Sequence, residues 1–155
     1  MSDDSASDVG PDQLSAPSEI LHATTVALVG KAVLILGASG TGKSALALDL
    51  MSRGAELVAD DRTIVSAHGG QLIAEVPDTI SGQIEARGIG ILNARPAGPT
   101  PIALAVCLDN EEQARLPKHY TFARFGVTVP LLYRFPYPHF APAILQFIKA
   151  GRSHS

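Results

Sequence analysis

Apolar residues in this chain fall into short runs, most of strand length, broken by glycine and proline. The run Ile20 to Val29 is rich in β-branched residues and predicts a strand, as does Ala32-Val33-Leu34-Ile35-Leu36. Gly30-Lys31 between them predicts a tight turn, so the pair reads as an antiparallel hairpin at one edge of a sheet. Ser44 to Met51 is made of good helix formers, and the helix should end near Arg53-Gly54, with the glycine closing it and the arginine complementing its C-terminus. A short apolar run, Leu57-Val58-Ala59, then ends in Asp60-Asp61. Thr63 to Ala67 and Gln71 to Glu75 flank His68-Gly69-Gly70, a hairpin signature. Pro77-Asp78 opens a loop, and Gly82 to Asn93 mixes charge with glycines at Gly88 and Gly90 that mark a bend or a close backbone approach. Ile102 to Leu108 reads as a central strand, Asp109 to Leu116 as a short charged segment compatible with a helix, and Phe122 to Val129 as another strand. Pro130 to Pro142 carries too many prolines for a regular central strand; its aromatics suit a lid or a protein contact. Ala143 to Ala150 predicts a last helix. The class is α/β: a mixed sheet flanked by helices.

Composition narrows this picture. At 155 residues the chain has room for one domain with a real core. Residues 1–18 are rich in Ser, Asp and Pro and predict a disordered acidic tail, leaving 19–150 as the domain and 151–155 as a frayed end. The net charge of −3 gives no sign of a nucleic-acid surface. Cys107 is the sole cysteine, so no internal disulfide or cysteine-based zinc site can form; its apolar surroundings predict a buried structural thiol. No run is long and apolar enough to span a membrane, and the N-terminus has no signal-peptide pattern, so a cytoplasmic location is expected.

The chemistry centres on Gly37-Ala38-Ser39-Gly40-Thr41-Gly42-Lys43-Ser44, which fits G-x-x-x-x-G-K-S between a predicted strand and a predicted helix. Such a loop offers backbone N–H groups and a helix N-terminus to a phosphate. Lys43 would reach the β- and γ-phosphates of ATP, and the Ser44 hydroxyl would ligate Mg²⁺. The fold is then P-loop-kinase-like. Asp60 and Asp61, at the end of what reads as a central strand, resemble a Walker-B pair, since ligands of open α/β sheets lie beyond the strand C-termini. Adjacent carboxylates repel unless a cation compensates, and Mg²⁺ and Lys43 are the natural partners. Glu85 and Arg87, two apart, share one face of an extended chain; they form either an exposed ion pair or part of the phosphate site.

Together these pieces resemble the catalytic domain of HPr kinase/phosphorylase, which phosphorylates a serine of HPr, the phosphocarrier of the bacterial sugar phosphotransferase system. The resemblance rests on His22, the loop Gly37 to Ser44, Arg53-Gly54 through Leu57-Val58-Ala59-Asp60-Asp61, and Ile84-Glu85-Ala86-Arg87-Gly88-Ile89-Gly90. It implies that His22, Lys43 and Asp61 are active-site residues, with Asp61 as acid/base. It implies Ser44 and Glu85 as magnesium ligands, with Asp60 and Arg87 behind them. ATP and Mg²⁺ are the implied cofactors, HPr the implied partner, and phosphorolysis of phosphoserine-HPr to pyrophosphate the implied second activity.

The chain departs from the family in three places. Ala45 stands where many members have a glutamate, only the acidic tail precedes the match, and Arg134-Phe135-Pro136-Tyr137-Pro138-His139-Phe140 replaces a Pro-Gly-Arg-Asn segment tied to partner recognition and oligomer contacts. These departures bear on phosphorolysis and on a hexameric homo-oligomer, and leave ATP and Mg²⁺ untouched. Two other readings stand beside the kinase: a nucleotide-sensing regulator without phosphotransfer, and a small-molecule P-loop kinase. The latter calls for clustered arginines, which the sequence lacks.

Overall fold

The computed structural model describes residues 16–77 and 81–153. Residues 1–15 of the predicted tail, and residues 154 and 155, lie outside that range. Of the predicted tail, the Pro17 carbonyl accepts the Ala67 N–H, and Ser18 already belongs to the first strand.

In chain order the strands are β1 (Ser18–Leu21), β2 (Ala23–Leu28), β3 (Lys31–Leu36), β4 (Glu56–Ala59), β5 (Thr63–His68), β6 (Gln71–Glu75), β7 (Gln83–Ala86), β8 (Gly90–Asn93), β9 (Thr100–Glu111), β10 (Tyr120–Arg124) and β11 (Val127–Arg134). Helix α1 (Lys43–Ser52) follows β3, and α2 (Phe140–Ala150) follows β11. A nine-stranded mixed sheet runs β1-β5-β6-β9-β3-β2-β4, with the β10–β11 hairpin joined to β9. Strands β7 and β8 form a separate two-stranded ribbon.

The long strand β9 is the spine. It is parallel to β3 over Ile102 to Cys107 and parallel to β11 from Ala105 onward, while β6 pairs only with its first two residues. The register against β3 skips one residue, passing from Ala32↔Ile102 to Val33↔Leu104. That extra residue reverses which face the side chains take. Ile102 therefore joins the core on one side of the sheet, and Leu104 and Val106 join the core on the other.

The second of these cores lies under the helices. Ala141, Ile144, Leu145 and Ile148 of α2 recur at helical spacing and are buried with Ala47 and Leu50 of α1 against Val33, Ile35, Leu104 and Val106. Burial of each large aliphatic side chain stabilises by about 1.5–3 kcal/mol. Lys31 donates to the Ile148 carbonyl at 3.2 Å, placing a cation at the C-terminal end of α2. Helix α1 ends as expected: Gly54, at φ 112°, donates to Met51 O, and Ala55 donates to Leu50 O, the paired bonds of a Schellman motif. Arg53 also pairs with Asp49 at 2.9 Å.

Several expectations are corrected. The predicted single strand Ile20–Val29 is two strands that change partners at His22: β1 pairs with β5, and β2 with β3 and β4. Ser18–Ile20 are exposed and Ala23–Ala27 are buried without interruption, a change that the residue types on either side of His22 do not mark. The β2–β3 hairpin is antiparallel, as expected, but it is not the edge; β4 is. The acid-bearing strand is therefore marginal rather than central. Asp109 to Leu116 is not helical, because β9 continues to Glu111 alongside β11. The stretch from Pro130 is partly a strand after all. Pro130 pairs with Thr121 and precedes the first residue of β11 that meets β9, so the missing N–H falls where β9 has not yet joined. Helix α2 starts three residues earlier than predicted and holds Pro142 in its first turn, where backbone N–H groups have no helical partner. Cys107 is half-buried rather than fully enclosed.

Candidate active site

Strand β3 delivers the chain into the glycine-rich loop at its C-terminal end. Gly37, Gly40 and Gly42 take φ of 154°, 85° and 100°, conformations that a side chain resists. At Gly37 an added Cβ would come within 2.5 Å of Thr41 Oγ1, so the loop closes on itself there. Thr41 ties the turn by donating its hydroxyl and its N–H to Ala38 O, at 2.7 and 3.2 Å. Lys43 is 6 % exposed, and its ammonium lies inside the loop, donating to Gly37 O at 2.8 Å and Ala38 O at 3.2 Å. A positive charge is thus fixed in the cradle. Ser39 and Gly40 form its exposed rim.

Strand β4 is antiparallel to β2, which is antiparallel to β3. It therefore runs in the direction of β3, and its acids emerge at the same end of the sheet as the loop. Asp60 joins three elements. Its Oδ1 accepts from Ser44 Oγ at 2.9 Å and Thr24 Oγ1 at 3.0 Å; its Oδ2 accepts the Glu85 N–H at 2.9 Å. One carboxylate thereby links the start of α1, strand β2 and strand β7. Asp61 follows at φ 69°, a left-handed conformation that aspartate tolerates. Its N–H donates to Thr24 Oγ1 at 3.0 Å, and its carboxylate meets His22 Nε2 at 2.5 Å. A carboxylate only accepts, so Nε2 carries the proton. The side chains of His22 and Asp61 are 50 % and 62 % exposed, so their pairing adds little to stability, at most about 1 kcal/mol. Its effect is to orient Asp61.

His22, Lys43, Ser44, Asp60, Asp61 and the backbone of Glu85 are therefore brought together. The Glu85 side chain is exposed on β7. Arg87 is exposed in the turn after β7 and makes no ion pair with Glu85 among the described residues.

Two contributors were absent from the sequence reading. Thr24 is fully buried, and its hydroxyl serves both acids. Asp109, near the end of β9, accepts the Ala38 N–H of the loop at 2.9 Å. A buried threonine in an apolar strand was the available signal for the first; for the second, an acid closing a long apolar run was the only hint. Neighbouring hydroxyls extend the buried network, with Thr25 and Thr63 2.9 Å apart and Thr63 donating to Ala23 O.

A magnesium ion is compatible with this donor set. The ion favours oxygen ligands and is usually held by one or two carboxylates together with substrate phosphates and water. Ser44 Oγ and Asp60 supply such oxygens beside the loop. Among the described residues no group of three or more His, Cys, Asp or Glu forms a protein-only cage.

Comparison with known proteins identifies the family and the fold. Residues 13–99 match the family model described as HPr Serine kinase C-terminal domain. An HPr kinase/phosphorylase of Lactobacillus johnsonii is 41 % identical over 107 residues, 64 % of this chain and 34 % of that protein. One from Brevibacillus brevis is 46 % identical over 79 residues, half of this chain and 25 % of the relative. The chain thus spans about a third or less of the length of these curated relatives. A solved structure, the Hpr(Ser) kinase/phosphatase from Coxiella burnetii, superposes with a TM-score of 0.70 over 84 % of this chain and 88 % of that one, at 24 % identity, and supports the fold. The family match takes in every residue from His22 to Arg87 on which the site is built, and the chain belongs to the HPr serine kinase C-terminal domain family.

Proposed function

We propose that this chain is an ATP- and Mg²⁺-dependent phosphotransferase that phosphorylates a serine of HPr and also runs the phosphorolytic reverse. The observation that carries the reading is the placement of the His22–Asp61 pair next to the Ser44–Asp60–Glu85 chain at the mouth of the loop. A phosphate cradle alone binds nucleotide; a second, exposed carboxylate with its own orienting partner supplies a base for an incoming hydroxyl.

In the forward direction Asp61 accepts the serine proton as the hydroxyl oxygen bonds to the γ-phosphorus and the bond to the β,γ-bridging oxygen breaks. A positioned base contributes on the order of 10²–10⁴-fold. His22 holds the carboxylate toward the acceptor and stabilises its charge. Lys43 and the loop N–H groups offset charge on the phosphoryl oxygens, which is most of what phosphoryl transfer asks of a protein. Ser44, Asp60 and Glu85 would hold Mg²⁺, which neutralises phosphate charge when bound. In reverse, an oxygen of inorganic phosphate bonds to the phosphoserine phosphorus as the bond to the serine oxygen breaks, Asp61 passes a proton taken from the incoming phosphate to that oxygen, and pyrophosphate is the product. Family membership supports HPr as the acceptor, and the exposure of Asp61 suits a protein substrate that must dock from outside.

The test is incubation with HPr, Mg²⁺ and γ-labelled ATP, then of phosphoserine-HPr with phosphate. Label on a single HPr serine and release of pyrophosphate are expected. ATP binding by the folded protein without label on HPr would instead favour a nucleotide-sensing regulator.

A further inference from the structure

On the flank of the loop away from the acids lies an open cleft of about 380 Å³, within the usual range of small-molecule sites. Its floor is Thr41, Gly42, Ala45 and Leu46 at the start of α1, with Asp49 one turn on and Leu108 from β9. Its far wall is the segment Arg134 to Phe140, which stands where the family signature is absent. None of His22, Asp60, Asp61 or Glu85 lines it.

We infer that this cleft is the nucleobase subsite, in which the heteroaromatic base of the nucleoside triphosphate lies against Tyr137 and Phe135. The inference rests on the loop being a phosphate cradle. Ser44 faces Asp60, which fixes the γ-phosphate end of the nucleotide on that flank. A triphosphate threaded along the loop then leaves on the side of Ala45, and this cleft opens there between Gly42, Ala45 and Tyr137. Its wall suits a flat, π-rich group. The Phe135 and Tyr137 rings lie 4.7 Å apart, and His139 meets Phe135 edge-on at 5.3 Å. Tyr137 is 58 % exposed, so its ring has a face to cover. The wall is also built in advance. Pro136 and Pro138 fix φ on either side of Tyr137, and two short bonds, Tyr137 N–H to Phe135 O at 2.8 Å and Phe140 N–H to Tyr137 O at 3.0 Å, hold the turn. Little ordering is then left for binding to oppose. Asp49 and Arg134 at the rim offer polar contacts to the sugar.

The full chain is titrated calorimetrically, in Mg²⁺, with ATP and with inorganic tripolyphosphate. Base–aromatic stacking predicts that ATP binds about tenfold or more tighter than tripolyphosphate. Tyr137→Ala removes that margin and leaves tripolyphosphate affinity unchanged, whereas Tyr137→Phe keeps it. Equal binding of the two ligands by the unaltered chain, or an intact margin in Tyr137→Ala, overturns the subsite and leaves the cradle standing. Failure of both ligands to bind overturns the cradle, and the subsite with it.

Discussion

Thr24 and Asp60 are joined by a 3.0 Å hydrogen bond that runs from a fully buried hydroxyl to a carboxylate opening onto the phosphate loop. The Thr24 hydroxyl oxygen also accepts the Asp61 N–H. Thr24→Val keeps the shape and deletes both bonds, leaving a backbone N–H without its partner. A loss of about 1–3 kcal/mol in urea unfolding is expected. Phosphotransfer to HPr should fall further than ATP affinity, because the aim of both acids changes while the glycine loop does not. Unchanged turnover would remove Thr24 from the positioning role.

Asp61→Asn separates charge from conformation. Asparagine adopts the left-handed region as readily as aspartate, so the φ of 69° survives the substitution. Transfer to HPr should drop by about 10²-fold or more while ATP affinity stays within a fewfold. Near-normal turnover would show that the base lies elsewhere.

Val29 holds φ 48° in the two-residue turn between β2 and β3, followed by Gly30 at φ 75°. A β-branched residue in that conformation is strained, and Asn-Gly is the favoured pair for such a turn. Val29 is 68 % exposed, so little packing is lost on replacement. Val29→Asn should therefore stabilise by about 1 kcal/mol and raise the Tm without changing activity.

Tyr120 gives a pH-dependent signal away from the site. Desolvation, then the Glu112 carboxylate, holds its hydroxyl above the ordinary 10.0. The neutral form is the one favoured by folding. Its contribution is complete below pH 10 and is lost as pH rises through the higher folded-state value. Glu112→Gln removes one cause and should move the Tyr120 step in a tyrosinate absorbance titration to lower pH.

Much of this fold was legible because the signals were local. Gly37 to Ser44 declared the loop, Arg53-Gly54 declared the helix stop, and the glycine turn at His68 to Gly70 declared a hairpin. What escaped was set by distant partners. The break at His22 follows from a change of neighbouring strand, which the residue types around it do not signal. The marginal place of β4 depends on β2 folding between it and β3. Asp60 and Asp61 could be placed near the phosphate site from the strand they follow, and Glu85 fitted either of two alternatives. His22 and the roles of Asp61 and Glu85 came only through resemblance to a family, since nothing in their spacing brings residues 22, 61 and 85 to one point. Thr24 carries no chemistry of its own that a sequence would advertise; its importance comes from the two acids that fold against it.

Strand β2 acts as a spacer. Neighbouring strands stand about 4.8 Å apart, so its insertion holds the acid-bearing strand roughly 9–10 Å from the strand that feeds the phosphate loop. Across that distance β2 supplies the Thr24 hydroxyl, which meets the acids from the intervening strand. Losing β2 as a paired strand, rather than shortening it, would let β4 pair directly with β3 and bring the acids one strand spacing closer to the loop.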